Sequence, residues 1–474
     1  MERLYPFVIG GALIAPERTV AVRSPFDGDV VGQCGDATGL EVERAVEAAA
    51  GARAAMASLP AWQRAQALHE LEHAVRTNQD EFAALMVAEA GKPLPAARAE
   101  VGRAMLTLRT AAEEALRIGG SVEPLDVAPG GEGRWAIARR FPIGIIAGIT
   151  PFNFPLNLVL HKLAPAIAAG NPVIIKASPR APLCALRLGE MALGLDLPTG
   201  AVNVLSGGAE PAVRLCEDGR VAMVSFTGSA AVGWELKAKA GGKKVVLELG
   251  GNAANIVHAD ADLELAAERL TAGAFSYAGQ SCISVQRVLV QRSVYPRLRE
   301  LLLVRVARLR LGDPREENTD VGPMINAEAA ARAFAWMQEA VALGATAACG
   351  MKRDGGFVWP TVLEQVPVSA AIWKEEAFAP VLLLRAYDTF DEALAEANAS
   401  RYGLQAGVFT RDLSLAWRAF EALEVGAVAL NEVSSWRMDP MPYGGVKASG
   451  FGREGLRSSI EEMTELRLLL LRNH

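Results

Sequence analysis

At 474 residues the chain exceeds what one ordinary core supports, so two or three domains are expected. Hydrophobic residues make up 51% and charged residues 22%, and a formal net charge of −6 without a basic block speaks against nucleic acid as a partner. Five scattered cysteines make no disulfide framework, which favours a reducing cytoplasm, and no zinc site is expected from the five histidines, of which only His69 and His73 stand at H-x-x-x-H spacing.

The start, "MERLYPFVIGG", has no basic region followed by a long apolar run, so no signal peptide is expected. Residues 40–117 carry apolar residues at helical spacing, interrupted by "GKPLP". "DVAPGGEGRW" (126–135) reads as a hairpin or loop excursion. From 141 onward "IGIIAGIT", "VIIKAS", "VNVLSG", "VAMVSFTG" and "KKVVLELGG" are short apolar strands, with helices expected at 156–169, 181–194, 209–218 and 229–241. "FPIGIIAGIT" is too short to span a bilayer. Strands alternating with helices predict a doubly wound parallel sheet, whose ligands bind beyond the carboxyl ends of the strands. A second α/β region is expected from about 255 to 430, with "ANIV", "VQRVLVQ", "APVLLLRAY" and "GVFT". The tail "ELRLLLLRNH" reads as a strand that needs a neighbour, in the chain or in another subunit.

Four stretches carry chemistry. "FTGSAAVG" places Gly228 and Gly233 on a strand-to-helix turn where backbone N–H groups can approach a phosphate, although a plain tight turn explains it equally well. "PFNFP" fixes Asn153 between prolines, either as an oxyanion donor or as an ordinary turn residue. "VVLELGGN" ends an apolar strand on Glu248, where burial would raise the carboxyl pKa and make a general base; a turn cap is the alternative. "GQSCISVQRV" puts Cys282 after a helix end; taken alone, a cysteine is more often an inert core residue than a nucleophile.

In combination, Asn153, "LELGGN", "GQSC", "EEAFAPV" and "PYGGVKASGFGREG" resemble the aldehyde dehydrogenase superfamily, from about residue 8 to the C-terminus. The resemblance implies a cofactor-binding domain at 1–125 and 141–251, a catalytic domain at 252–441, and a small β oligomerisation flap formed by 126–140 and 442–474. It implies a homodimer or homotetramer. Cys282 is then the nucleophile, Asn153 the oxyanion donor and Glu248 the base that activates water. The cofactor is NAD, with NADP open. Lys176 matches the contact to the adenosine ribose, Ser229 that to the pyrophosphate, and Glu376, with Phe378 beside it, that to the nicotinamide ribose. Ile149, Thr150, Phe152, Ser178, Pro179 and Gly207 complete the set on one side, and Phe226, Gly228, Val232 and Leu249 on the other. NAD-preferring members often carry Glu three residues after the lysine; "KASPR" has Pro179 there, then Arg180, so nothing repels a 2′-phosphate.

The implied substrate positions are Arg103, Asn157, His161, Ser281, Ile283, Arg437 and Tyr443. Two arginines and a histidine suit an anionic group on a short aldehyde, unless the arginines are paired with carboxylates such as Glu100 and Asp439. "PFNFPLNLVLHKLAPAIAAGN" and "MDPMPYGG" further resemble the subgroup acting on lactaldehyde, glycolaldehyde and phosphonoacetaldehyde. The phosphonoacetaldehyde branch typically has Arg before the cysteine, where Ser281 stands here. Neutral hydroxyaldehydes remain an alternative, as does acyl transfer to coenzyme A, although members of the latter type generally lack the Glu at position 248.

Overall fold

The computed structural model describes residues 3–472; Met1, Glu2, Asn473 and His474, the ends of the expected first and last segments, lie outside the described residues. Four helices, Gly39–Ser58, Ala61–Thr77, Gln79–Ala90 and Leu94–Ala115, fill the predicted helical stretch, and the "GKPLP" break falls between the last two. Gly91 at φ 64° ends the third helix in the left-handed conformation that glycine adopts without steric cost.

The first large sheet has eight strands. Its parallel centre runs, edge to edge, Lys244–Glu248, Val221–Thr227, Ile145–Ile149, Val173–Ala177 and Val202–Ser206. These strands are apolar almost throughout because helices cover both faces. The strand order reverses between Ile145–Ile149 and Val221–Thr227, which opens a crevice beyond their carboxyl ends. Phe7–Ile9 and Ala12–Ile14 extend one edge antiparallel. The helices after these strands, Asn157–Ala169, Leu183–Ala192, Ala209–Glu217 and Ala230–Lys239, match the predicted ones to within about two residues.

A second, seven-stranded sheet runs Thr346–Cys349, Thr361–Glu364, Val381–Tyr387, Arg287–Gln291, Ala254–Val257, Gln405–Phe409 and Ala427–Leu430, parallel except for the first strand. The C-terminal strand Thr464–Arg472 finds its neighbour in the chain, pairing antiparallel with Arg134–Pro142, which also pairs with Gly120–Pro124. This small sheet is wider than the 126–140 excursion. Residues 442–463 lie apart from it: Gly450–Phe451 joins the first large sheet beside Glu248, and the helix Leu456–Glu462 packs on Asn157–Ala169. Among the described residues no helix is long and apolar enough to cross a membrane.

Candidate active site

A cavity of about 920 Å³ lies beyond the carboxyl ends of the first sheet's strands and reaches Cys282. Lys176, in the strand Val173–Ala177, and Ser178, Pro179 and Arg180 just after it line one part, and the walls continue past Phe226, Gly228, Ser229, Val232 and Leu249 to Ile149, Thr150 and Phe152. The buried Lys176 ammonium makes no hydrogen bond among the described residues; burial lowers its pKa to about 8, against the pull of Asp36. Ser229 precedes the helix Ala230–Lys239 without using its hydroxyl as a cap, so the helix N-terminus is open. A Cβ on Gly233 would sit 2.4 Å from Leu249 Cδ2 and 3.2 Å from the Phe226 ring, so a side chain there would push these two cavity-lining residues aside. Gly207 does not line the cavity as expected. It turns the chain at φ 153° against the backbone of Ala37, and Gly208 forms the wall instead.

Glu376 faces the cavity next to Gly250 and accepts a hydrogen bond from the Gly251 N–H at 3.2 Å. Burial pushes its carboxyl up to about 7. Phe378, at φ 49°, places its ring edge-on to Phe152 with centroids 5.9 Å apart.

Cys282 is delivered by an unusual turn. The helix Leu263–Phe275 stops, and Tyr277 (φ 51°), Ala278 (φ 52°) and Gly279 (φ 66°) follow in left-handed conformations. Each non-glycine residue there costs roughly 1–2 kcal/mol, so other contacts must hold the turn. One is the Tyr277 hydroxyl, which donates to the Ala90 carbonyl at 3.1 Å. Another is the Asn153 amide, which donates to the Gln280 carbonyl at 3.0 Å. The amide's second hydrogen remains to serve the cavity. Burial pushes the Cys282 thiol up to about 11, and its hydrogen-bonding neighbour is the Tyr443 hydroxyl at 3.1 Å. Glu248 has both carboxyl oxygens buried without a partner. Burial, and then the Glu454 carboxylate, raise its pKa well above the usual carboxylate value.

Glu454 lines the cavity and went unnoticed in the sequence. Lys162 Nζ lies 2.5 Å from its Oε1 and 2.7 Å from the Thr227 hydroxyl. Burial would raise the Glu454 carboxyl, but the surrounding basic groups, Lys162 foremost, together outweigh it and lower its pKa. The available signal was "NLVLHKLAPAIAA", a helix buried all round, in which His161 and Lys162 both require partners.

At the substrate end Arg103, Asn157, Ser281, Ile283, Arg437 and Tyr443 line the cavity, but His161 does not. His161 stands behind the wall with Nε2 2.9 Å from Asp439, and burial, then Arg437, depress its pKa so that it is neutral. The two arginines differ. Arg103, with a side chain 32% exposed, holds Asp439 through two hydrogen bonds of 3.0 and 2.7 Å. Its expected alternative partner, Glu100, instead binds the buried Lys92 and accepts the Leu156 and Asn157 backbone N–H groups. Asp439 also accepts from the Asn157 amide at 3.0 Å. Burial would raise the Asp439 carboxyl, but the His161 and Arg103 hydrogen bonds hold it well below the usual range. Arg437, with a side chain 7% exposed, lies over the Tyr443 ring at 3.7 Å, and its nearest carboxylate oxygen, on Glu454, is 3.7 Å away. Its Nε is buried without a partner. A nearly buried guanidinium with no hydrogen-bonded carboxylate thus shares the cavity with Cys282, Glu248 and Tyr443.

The pattern of the Aldehyde dehydrogenase family matches residues 14–469. The 3-sulfolactaldehyde dehydrogenase of Priestia aryabhattai is 46% identical over 411 residues, 86% of this chain and 86% of that protein. Aldehyde dehydrogenase 21 of Physcomitrella patens, solved in complex with the reaction product succinate, superposes with a TM-score of 0.98 at 42% identity over 100% of this chain and 99% of that one. The glyceraldehyde-3-phosphate dehydrogenase of Methanocaldococcus jannaschii complexed with NADP gives 0.92 at 36% identity, covering 96% of this chain and 100% of that one.

Proposed function

The chain belongs to the aldehyde dehydrogenase family, and on that premise we propose that it oxidises a short anionic aldehyde to the carboxylic acid with NAD or NADP. The observation that carries the substrate class is Arg437, a cation beside Cys282 with no hydrogen-bonded carboxylate. Its ion pair with Glu454 is loose, at 3.7 Å, and its other polar contact is to His161 Nδ1 at 3.4 Å, so a substrate anion supplies a closer partner for the buried charge. The three relatives named above act on, or hold, compounds carrying a sulfonate, a carboxylate or a phosphate. Arg103 is already neutralised by Asp439 and contributes a weaker second contact.

In this reading Cys282, as thiolate, adds to the aldehyde carbon. The carbonyl electron pair moves to oxygen, which accepts hydrogen bonds from the Asn153 amide and the Cys282 backbone N–H. The dinucleotide supplies the hydride acceptor. Lys176, Ser229 and Glu376 hold it: an ammonium without a hydrogen bond, an open helix N-terminus and a cavity-facing carboxyl suit ribose, pyrophosphate and ribose in turn. Once ionised, Glu248 takes a proton from the water that hydrolyses the thioester, which favours hydrolysis over transfer to coenzyme A. The first large sheet is then the cofactor-binding unit and the second the catalytic unit. The small sheet, which exposes Leu466, Leu468, Leu469 and Leu470, is covered in a homodimer or homotetramer. All five cysteines are free, which suits a cytoplasmic location.

The test is a panel of short aldehydes, with and without a terminal anion, assayed with both cofactors. Carboxylate product with NADH or NADPH, formed fastest from the anionic members, supports the proposal. Fastest turnover of neutral lactaldehyde or glycolaldehyde would transfer the assignment to hydroxyaldehydes.

A further inference from the structure

We infer that Tyr443 is a catalytic residue, whose phenol O–H donates a hydrogen bond to the Cys282 thiolate both when it attacks and when it leaves. The inference rests on the reading of Cys282 as nucleophile. Tyr443 Oη lies 3.1 Å from Cys282 Sγ. The sulfur otherwise packs in an apolar cluster of Ile283, Leu404 and the Tyr443 ring, so this phenol is the one side-chain hydroxyl in contact with it among the described residues. An ionised sulfur in such surroundings needs a donor.

The phenol is held in place from three sides. Its backbone forms two hydrogen bonds with Glu454, Tyr443 N–H to Glu454 O at 2.9 Å and Glu454 N–H to Tyr443 O at 2.7 Å. Its ring lies under the Arg437 guanidinium. Gly444 follows at φ 159°, where a Cβ would come 2.9 Å from Glu248 Oε1. The stacked cation polarises the ring and strengthens the O–H as a donor. Burial, with Cys282 next, raises the Tyr443 pKa well above its ordinary value, so the phenol keeps its proton and acts as donor, never as base.

The electron accounting is simple. In the attack the sulfur pair forms the S–C bond, the carbonyl π pair goes to oxygen, and the phenol proton stays on Tyr443. The adduct becomes a thioester once its carbon gives up a hydride, to the acceptor that a bound dinucleotide would supply; in hydrolysis water then adds to the thioester and its proton goes to Glu248. The S–C bond then breaks, the pair returns to sulfur, and the same O–H receives it.

The experiment measures the pH dependence of Cys282 alkylation by iodoacetamide in the full-length protein, with the adduct located by peptide mass spectrometry. Tyr443→Phe is expected to move the titration midpoint up by about one unit, which is about tenfold slower alkylation at a fixed pH below the midpoint. On the acid side kcat/KM for propanal should fall by a similar factor and recover at high pH. A ring-fluorinated tyrosine at 443, a more acidic phenol, is expected to move the midpoint down, which gives a second reading should the Phe variant fold poorly. An unchanged midpoint in either variant, or a rate lowered equally at every pH, overturns the inference while leaving Cys282 as nucleophile. Should Cys282→Ser keep parent-level turnover, the inference and the reading beneath it both fall.

Discussion

Glu248 and Cys282 are both held in their uncharged forms by burial, and in the proposed mechanism both lose a proton. The sign follows directly. Each folded-state pKa lies above its ordinary value, so the active forms grow as pH rises. We expect kcat/KM to climb from neutral into alkaline solution with the Cys282 titration, and kcat with that of Glu248, by up to about tenfold per unit for each. A profile that falls over that range would contradict the assignment of these two groups. Glu248→Gln separates their roles. The amide cannot accept a proton from water, so rapid mixing should show a near-stoichiometric burst of reduced cofactor followed by turnover lowered roughly 10²- to 10⁴-fold. Loss of the burst itself would make Glu248 structural, or a partner of the thiol.

At the scale of elements, the proposed cofactor choice is assigned to the loop after Val173–Ala177. Pro179 and Arg180 both line the cavity close to Lys176. Pro179→Glu should lose activity with NADP while retaining it with NAD, because a carboxylate there repels the 2′-phosphate. Equal loss with both cofactors would show that the loop only packs. The strands that form the cavity floor were legible because "VIIKAS" and its counterparts are apolar runs bounded by glycine, proline and small residues. The N-terminal strands Phe7–Ile9 and Ala12–Ile14 were not read, because runs of three residues hold too little periodicity. The motif residues Asn153, Glu248 and Cys282 were found by their flanking residues, and the structure brings them to one cavity. The Asp439 hub was only half visible. Its pairing with Arg103 joins segments 336 residues apart, and its hold on Asn157 and His161 follows from tertiary packing that no local pattern records. For the same reason His161 was placed in the cavity when it stands behind it.

For the whole molecule, the small sheet is the surface that the proposed homodimer or homotetramer covers. Leu466, Leu468 and Leu470 point the same way from one strand and are 54%, 59% and 67% exposed. Covering each in an assembly contributes roughly 1.5–3 kcal/mol at most. Leu468→Asp combined with Leu470→Asp should therefore shift the sedimentation coefficient towards the monomer with little change in far-UV circular dichroism. An unchanged assembly would show that other surfaces hold the subunits together. The central claim concerns the charge of the substrate and is tested most directly by Arg437→Met. Its readout is the ratio of kcat/KM for a short carboxylated or sulfonated aldehyde to that for propanal. We predict that the parent favours the anionic aldehyde and that the variant lowers this ratio about 10- to 100-fold, as loss of one charge-assisted contact implies. A parent without preference, or a variant in which both substrates lose equally, would contradict the account.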